Sequence, residues 1–239
     1  MTPLQRIARR LGYDLAPRRT AGSPDAQLAA VLERFSVSCV LDVGANVGQY
    51  ALRLRAVGYA GRIVSFEPLP EAHAELTRRA AADPAWQVAP RMAIGERDGE
   101  VEIEVSAESD MSSILPQSAL LRRISPTSAV IRRERVPVAR LDEIAPAWLQ
   151  RDDEVVLKID VQGYEPQVLE GAGALLRTLR GIQLEMSMVP CYEGERGFRE
   201  TIDYLEAAGF ELYLLLPGYF ERKLARQLQV DGVFVRPPR

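Results

Sequence analysis

Val40-Leu41-Asp42-Val43-Gly44-Ala45-Asn46-Val47-Gly48-Gln49-Tyr50 runs from an apolar strand through an aspartate into a glycine-bearing turn, then into the first turn of an amphipathic helix. Glycine lets the chain turn sharply and lets a ligand approach the main chain, because no Cβ stands in the way. The unpaired N–H groups that open the following helix offer donors to a polar or anionic ligand. Many turns after buried strands share part of this, so the stretch gains meaning only from its surroundings.

Outward from it, strand and helix patterns alternate. A helix over 25–35 follows the Gly22-Ser23-Pro24-Asp25 start, then come strand Cys39–Val43 and a helix over 47–57. Arg62–Phe66 is a second buried strand, a helix spans 70–81, and a third strand lies near Trp86–Ile94. Glu100–Val105 and Arg135–Arg140 alternate, as half-exposed antiparallel strands do. Between them residues 106–134 form a polar, arginine-rich excursion, long for a connection inside one domain and therefore read as a lid or acceptor segment. Val155–Asp160 and Ile182–Met186 are further buried strands, separated by helical sequence to about Leu179. A helix over 197–208 precedes the closing strands Phe210–Leu216 and Val230–Val235, the last expected to be antiparallel. This rhythm predicts an α/β fold: an open, mostly parallel sheet with ligands at the carboxyl ends of its strands. One domain over 37–239 is expected, with 1–36 as a helical extension whose residues 3–13 form a basic amphipathic helix (Leu4, Ile7, Ala8 and Leu11 on one face).

Composition narrows the classes. Of 239 residues 47% are apolar, enough for a sizeable core, and a formal net charge of −3 gives no electrostatic support for nucleic-acid binding. No apolar run approaches the about 20 residues that cross a bilayer, and no signal peptide opens the chain. A soluble cytoplasmic location without stable membrane insertion is the expectation, with homo-oligomer formation left open. Cys39 and Cys191 are far apart and read as reduced thiols, Cys39 within a buried strand.

Four strands end acidic: Asp42, Glu67, Asp160 and Glu185. In an open parallel sheet these converge on one crevice, where they favour a cation or hydroxyl-rich ligands, although any one could simply cap a turn. Glu67, closing the second strand, suits the two hydroxyls of a ribose. A dinucleotide fingerprint needs Gly-x-Gly-x-x-Gly, and the corresponding positions here are Gly44, Asn46 and Gln49, with the second glycine moved to Gly48. Asp42 before the turn would repel a pyrophosphate but balance an amino-acid ammonium. The pattern favours S-adenosylmethionine over a dinucleotide.

Leu41–Gly48, Phe66-Glu67-Pro68 and Leu157-Lys158-Ile159-Asp160-Val161-Gln162-Gly163-Tyr164-Glu165 with Val168–Ala172 resemble the FkbM-type methyltransferases. Ala93-Ile94-Gly95 and Ser112-Ser113-Ile114 agree, and the resemblance spans roughly residues 38–215. It implies a class I methyltransferase sheet, Rossmann-like, with an antiparallel last strand, an inserted β-hairpin or lid, and S-adenosyl-L-methionine as cofactor. It also implies methylation of a hydroxyl on a sugar, glycolipid or natural product. Asp42, Gly44, Ala45, Asn46, Gly48 and Tyr50 would hold the methionine end, Glu67 the ribose, and Pro68 would border the nucleoside. Met92, Ala93 and Ile94 would face adenine, and Asp160 would stand near the transferred methyl. Ser112, Ser113, Glu165, Arg122 and Arg123 would line the acceptor side. The family has Glu-Gly where this chain has Gln162-Gly163, a departure that leaves position 162 without an assigned role.

An alcohol is a weak nucleophile, so a base within hydrogen-bond reach is expected. The only histidine, His73, falls within a helix and reads as a surface residue, so a carboxylate is expected, Asp160 first and Glu185 second. No metal is expected, and if one is held Asp160 and Glu185 are its ligands. Lys158 is expected to pair with a neighbouring carboxylate. The arginines of the excursion read either as a solvated face or as a clamp for an anionic acceptor group. Tyr192, Tyr219 and Phe220 read as a sugar platform or as packing. Alternatives are a nucleoside-binding protein without turnover, a nicotinamide-dependent oxidoreductase, and methylation at nitrogen; no Asn-Pro-Pro-Tyr-like tetrapeptide follows Asp160 to support the last.

Overall fold

The computed structural model describes residues 22–237, so the helix expected over 3–13 lies outside the described residues. In chain order the helices are α1 (Pro24–Arg34), α2 (Gln49–Val57), α3 (Pro70–Ala80), α4 (Ala119–Ile124), α5 (Leu141–Ile144), α6 (Glu165–Ala172) and α7 (Phe198–Ala207). The strands are β1 (Cys39–Val43), β2 (Arg62–Phe66), β3 (Trp86–Val88), β4 (Ala93–Ile94), β5 (Gly99–Ser106), β6 (Val130–Ala139), β7 (Val155–Ile159), β8 (Gly181–Ser187), β9 (Glu211–Pro217), β10 (Phe220–Glu221), β11 (Arg226–Gln227) and β12 (Gln229–Val235). Among the described residues no helix is long and apolar enough to cross a membrane.

Seven strands form the main sheet in the order β3-β2-β1-β7-β8-β12-β9. Neighbours from β3 to β8 run parallel, and β12 is antiparallel to both β8 and β9. This is the order of a class I methyltransferase sheet. Short buried strands joined by helices can return only by crossing over a face, and crossovers share one hand, which leaves a crevice where the order reverses. Here that point lies between β1 and β7. Alternate residues of each central strand face opposite layers. Cys39, Leu41, Val43, Leu157 and Ile159 pack with α6 residues such as Val168 and Leu169. Val40 and Val156 pack with Leu28, Leu32, Leu54 and Leu76 of α1, α2 and α3. The α1 helix thus buries Leu28 and Leu32 in the same cluster as the central strands.

The strand expected over 86–94 is two strands in two sheets. Pro90 between them has no N–H to give a ladder, so β3 stops at Val88 and β4 joins a second sheet of order β4-β6-β5. In that sheet β6 begins at Val130, five residues before the expected start, because Glu102 and Glu104 on β5 stand opposite Arg135 and Arg133 on β6. The end of the expected excursion, from Val130, is therefore part of a long β5–β6 hairpin, and residues 107–129 connect its two strands. Its inner side chains, Ile103, Val105, Val136 and Val138, pack on Leu69 and Ala72 at the start of α3.

One polar pair breaks the apolar run of the central strands. Asp42 and Lys158 are in register on β1 and β7, both buried, with Lys158 Nζ 3.1 Å from Asp42 Oδ1. Removing one partner of a buried pair strands the other charge, which costs about 3–5 kcal/mol. Lys158→Met should therefore lower the unfolding free energy in urea by about that amount. The double variant Asp42→Val, Lys158→Met should regain at least half of the loss.

Candidate active site

The turn after β1 and the turn after β7 meet at the reversal point. Asp160 N–H donates to Val43 O at 3.1 Å. A Cβ on Gly44 would lie 1.9 Å from Asp160 O, and Gly44 has φ +74. This glycine is required both by its conformation and by the contact. Lys158 ties the two turns from beneath: Nζ donates to Gly44 O at 3.1 Å and lies 3.7 Å from Asp160 Oδ2. Burial works against its charge, but Asp42 and Asp160 outweigh it and hold the ammonium above its ordinary range.

Two crevices open at this junction. The first encloses about 680 Å3, part of it open to solvent, between Gly44 and Asn46, Glu67 to Leu69, Met92 to Ile94, and Asp160 to Gln162. Ile103 of β5 and the segment Ser112-Ser113-Ile114 close its far side. The second, about 430 Å3, is lined by Ala45, Tyr50, Arg53, Lys158, Gln183 and Asp231. They share Gly44, Gln49 and Asp160.

Glu67 follows β2 and accepts two main-chain hydrogen bonds, from Asn46 N–H and Leu69 N–H, each 2.8 Å. It both braces the glycine turn and faces the first crevice. Burial raises its carboxyl to about 7, against the lowering effect of those two N–H groups. In the second crevice burial raises Asp231 to about 6, helped by Asp160 and opposed by Lys158 and Arg53. Tyr50 OH donates to Gln183 Oε1 at 2.8 Å.

Of the expected cofactor residues, Gly44, Asn46, Glu67, Pro68, Met92, Ala93, Ile94 and Asp160 line the first crevice; Ala45 and Tyr50 line the second. Two do not reach either. Asp42 is on the α1/α2 side of β1, wholly enclosed, with Lys158 on one oxygen and the Ser65 hydroxyl 3.2 Å from the other. Gly48, the N-cap of α2, lies beneath Trp86 and Leu76, whose atoms would stand 2.6 and 2.9 Å from an added Cβ. A side chain at this position would displace both.

The acceptor-side residues also divide. Ser112 and Ser113 line the first crevice. Glu165 does not: it is buried in the first turn of α6 and accepts from Val161 N–H and Gly163 N–H at 3.1 and 3.2 Å, with burial raising it to about 7. Arg122 and Arg123 sit on α4 outside both crevices; Arg122 donates to Gln117 O and lies 3.7 Å from Glu193. Arg132 and Arg133 pair with Glu71, Glu134, Glu102 and Glu104, carboxylates of α3, β6 and β5.

Glu185 lies behind Asp160, outside both crevices. Its Oε2 accepts from Gln229 Nε2 at 2.6 Å and from Gln162 Nε2 at 3.3 Å. Burial first, then Asp160 and Glu165, push it well above the carboxylate range. His73 ties α3 to Ala89 O at 2.8 Å, away from the site. Tyr192 is buried and bonds to Gln162, Tyr219 bonds to Glu221, and Phe220 is half-exposed, so the three form no common platform. Burial raises Cys39 to about 11 and Cys191 to about 12, leaving both as unreactive thiols. Sequence reasoning missed Arg53, Gln183, Asp231 and Gln162. Only Gln162 left a signal, as a departure from the family pattern.

Residues 42–212 match the methyltransferase FkbM domain. The chain is 28% identical over 206 residues to the 2-O-methyltransferase NoeI of Sinorhizobium fredii, covering 80% of this chain and 79% of that protein. Among solved structures it is similar to magnesium protoporphyrin IX methyltransferase from Synechocystis PCC 6803 (12% identity, TM-score 0.47, 99% of this chain and 86% of that one). It is also similar to an S-adenosylmethionine dependent methyltransferase from Mesorhizobium loti (10% identity, TM-score 0.47, 90% and 99%). With well over half of its length matched, the chain belongs to the FkbM family of S-adenosylmethionine-dependent methyltransferases.

Proposed function

We propose that this methyltransferase acts on a hydroxyl of a sugar, glycolipid or related natural product, with Asp160 as the base. The observation that carries the reading is the position of Asp160, at the junction of the two crevices, between the Lys158 ammonium and the Gln162 amide. The relative named as a 2-O-methyltransferase supports oxygen as the acceptor atom.

The donor groups fit the cofactor. Glu67 offers lone pairs to a ribose diol, while Leu69, Met92 and Ile94 offer apolar contact to a flat base. The second crevice carries Asp160 and Asp231 for an ammonium, and Arg53 and Lys158 for a carboxylate. When bound, S-adenosylmethionine supplies an electrophilic methyl on a sulfonium sulfur. Asp160 orients the acceptor hydroxyl and takes its proton as the oxygen–methyl bond forms. Holding the reacting line alone supplies about 7–11 kcal/mol in well-oriented systems, and a positioned base adds roughly 10²–10⁴-fold. The Gln162 Nε2 group points its donors at Asp160 Oδ1 and Glu185 Oε2, where a cation bridging these two carboxylates would sit, which favours a metal-independent reaction.

A screen of methyl glycosides, glycolipids and polyketides with S-adenosylmethionine, read by a one-methyl mass gain, tests the reading; mass gain confined to amines or to none of these classes overturns it. On an acceptor so found, Asp160→Asn should lose at least about 100-fold in kcat while S-adenosylhomocysteine binding remains measurable. Turnover close to native would remove Asp160 as the base. A chelator should leave turnover unchanged.

Glu67 sets a pH dependence on cofactor binding. Its carboxyl is neutral below about 7 in the unliganded protein, and only the anion accepts from both ribose hydroxyls. Affinity for S-adenosylhomocysteine should therefore rise about tenfold between pH 6 and 8, following the ionised fraction. Glu67→Gln should bind more weakly and lose this dependence. The raised Glu67 and Glu165 carboxyls also mean that the native state holds protons the unfolded chain has released. Unliganded stability should thus fall as pH rises from about 4.5 to about 7.

A further inference from the structure

We propose that Gln162 is a positioning residue for the transfer: gripped by the Tyr192 hydroxyl, its side-chain amide fixes the Asp160 carboxylate and ties it to Glu185. The inference rests on Asp160 acting as the base. The Gln162 Nε2 group donates to Asp160 Oδ1 at 2.7 Å and to Glu185 Oε2 at 3.3 Å. Its Oε1 accepts from Tyr192 OH at 2.8 Å. Both N–H donors and the carbonyl oxygen of the amide are thus engaged. The rotated amide would aim Oε1 at two carboxylates and turn its N–H groups on a phenol, so the partners select one orientation.

The backbone is held to the same end. Gln162 sits at φ 56, a conformation that costs a non-glycine residue free energy and persists only where its surroundings over-determine it. Ser113 Oγ donates to Gln162 O at 2.5 Å, and Glu165 accepts from the N–H groups on either side, of Val161 and Gly163. Gly163, at φ 96, lets Tyr192 lie against the turn: an added Cβ would stand 2.8 Å from Tyr192 Cβ. Tyr192 is 1% exposed, and its hydroxyl also lies 3.4 Å from Met111 O.

A carboxylate at position 162, as the family carries, would meet Asp160 and Glu185 differently and only with a proton held among the three. The amide faces Asp160 on its own turn and Glu185 on β8; Glu165 on α6 holds the main chain on either side, Lys158 on β7 lies 3.7 Å from the far oxygen of Asp160, and Asp231 on β12 and Glu195 add their charge to Glu185. An ionised glutamate side chain in its place would add a like charge to this group and has no N–H to offer. A protonated one has a single O–H for two acceptors.

The test has two arms. In protein labelled with 15N-glutamine, the Gln162 side-chain NH2 pair, assigned by its loss in Gln162→Ala, should be resolved and protected from solvent exchange. In Tyr192→Phe the pair should exchange at least tenfold faster. A freely exchanging pair in the native protein overturns the inference, whatever the acceptor. In the second arm, methyl transfer is followed on a methyl glycoside taken from the acceptor screen. Gln162→Ala should lose about 10–100-fold in kcat, with S-adenosylhomocysteine affinity within threefold of native. Gln162→Glu should fall at least as far, and its remaining rate should rise, relative to native, as pH is lowered. Gln162→Ala turning over within threefold of native, or losing cofactor affinity in step with kcat, overturns the inference. If no screened hydroxyl is methylated at all, the reading of the acceptor fails, and the exchange arm still decides whether the amide is held.

Discussion

The buried pair between Asp42 and Lys158 is the constraint from which the site follows. Two charges taken out of water cost several kcal/mol each, and only a close, well-bonded partner repays that. Their register on β1 and β7 fixes how the two strands at the reversal point align. Lys158 then reaches past Asp42 to Gly44 O and toward Asp160. One ammonium thus joins the turn that starts the cofactor crevice to the carboxylate that ends it. Gly44 completes the junction by having no Cβ where Asp160 O lies.

The second constraint is the crowding of carboxylates that such a sheet produces. Each is handled differently. Glu67 and Glu165 accept pairs of main-chain N–H groups and are raised to about 7 by burial. Burial and its acidic neighbours push Glu185 well above the carboxylate range, and two glutamine amides, from Gln162 and Gln229, stand on its Oε2. Asp160 faces an ammonium and borders both crevices. The acids that brace the fold are thus the ones drawn toward neutrality, and the one best placed for chemistry keeps a cationic neighbour.

The sheet was largely legible because buried parallel strands are continuous apolar runs with polar residues at their ends. Cys39–Val43 and Arg62–Phe66 fall where the pattern puts them, and Glu67 and Asp160 lie on the crevice. The enclosure of Asp42 was readable from its direction: it shares a strand face with Val40, which packs under α1 and α2, not toward the turn's open side. Pro90 likewise announced the break between β3 and β4. The role of Gly48 was not readable, because the side chain that requires it, Trp86, is 38 residues away and meets it only in the folded sheet. The ion pairs of the excursion were hidden for a related reason: Glu102 and Glu104, which Arg133 meets, lie across a strand register that the sequence does not state.

Gln162 shows how a single atom type can reconcile the two constraints. A sulfonium cofactor is cationic, so negative potential around the junction favours it, yet every further carboxylate raises repulsion within the group. An amide avoids adding charge and supplies donors to two oxygens at once. Replacing it by a carboxylate would strengthen attraction for the cation but require a proton to be held at position 162, at Glu185 or at Asp160 itself. The neutral donor at position 162 serves both carboxylates without adding a charge that a proton would have to offset.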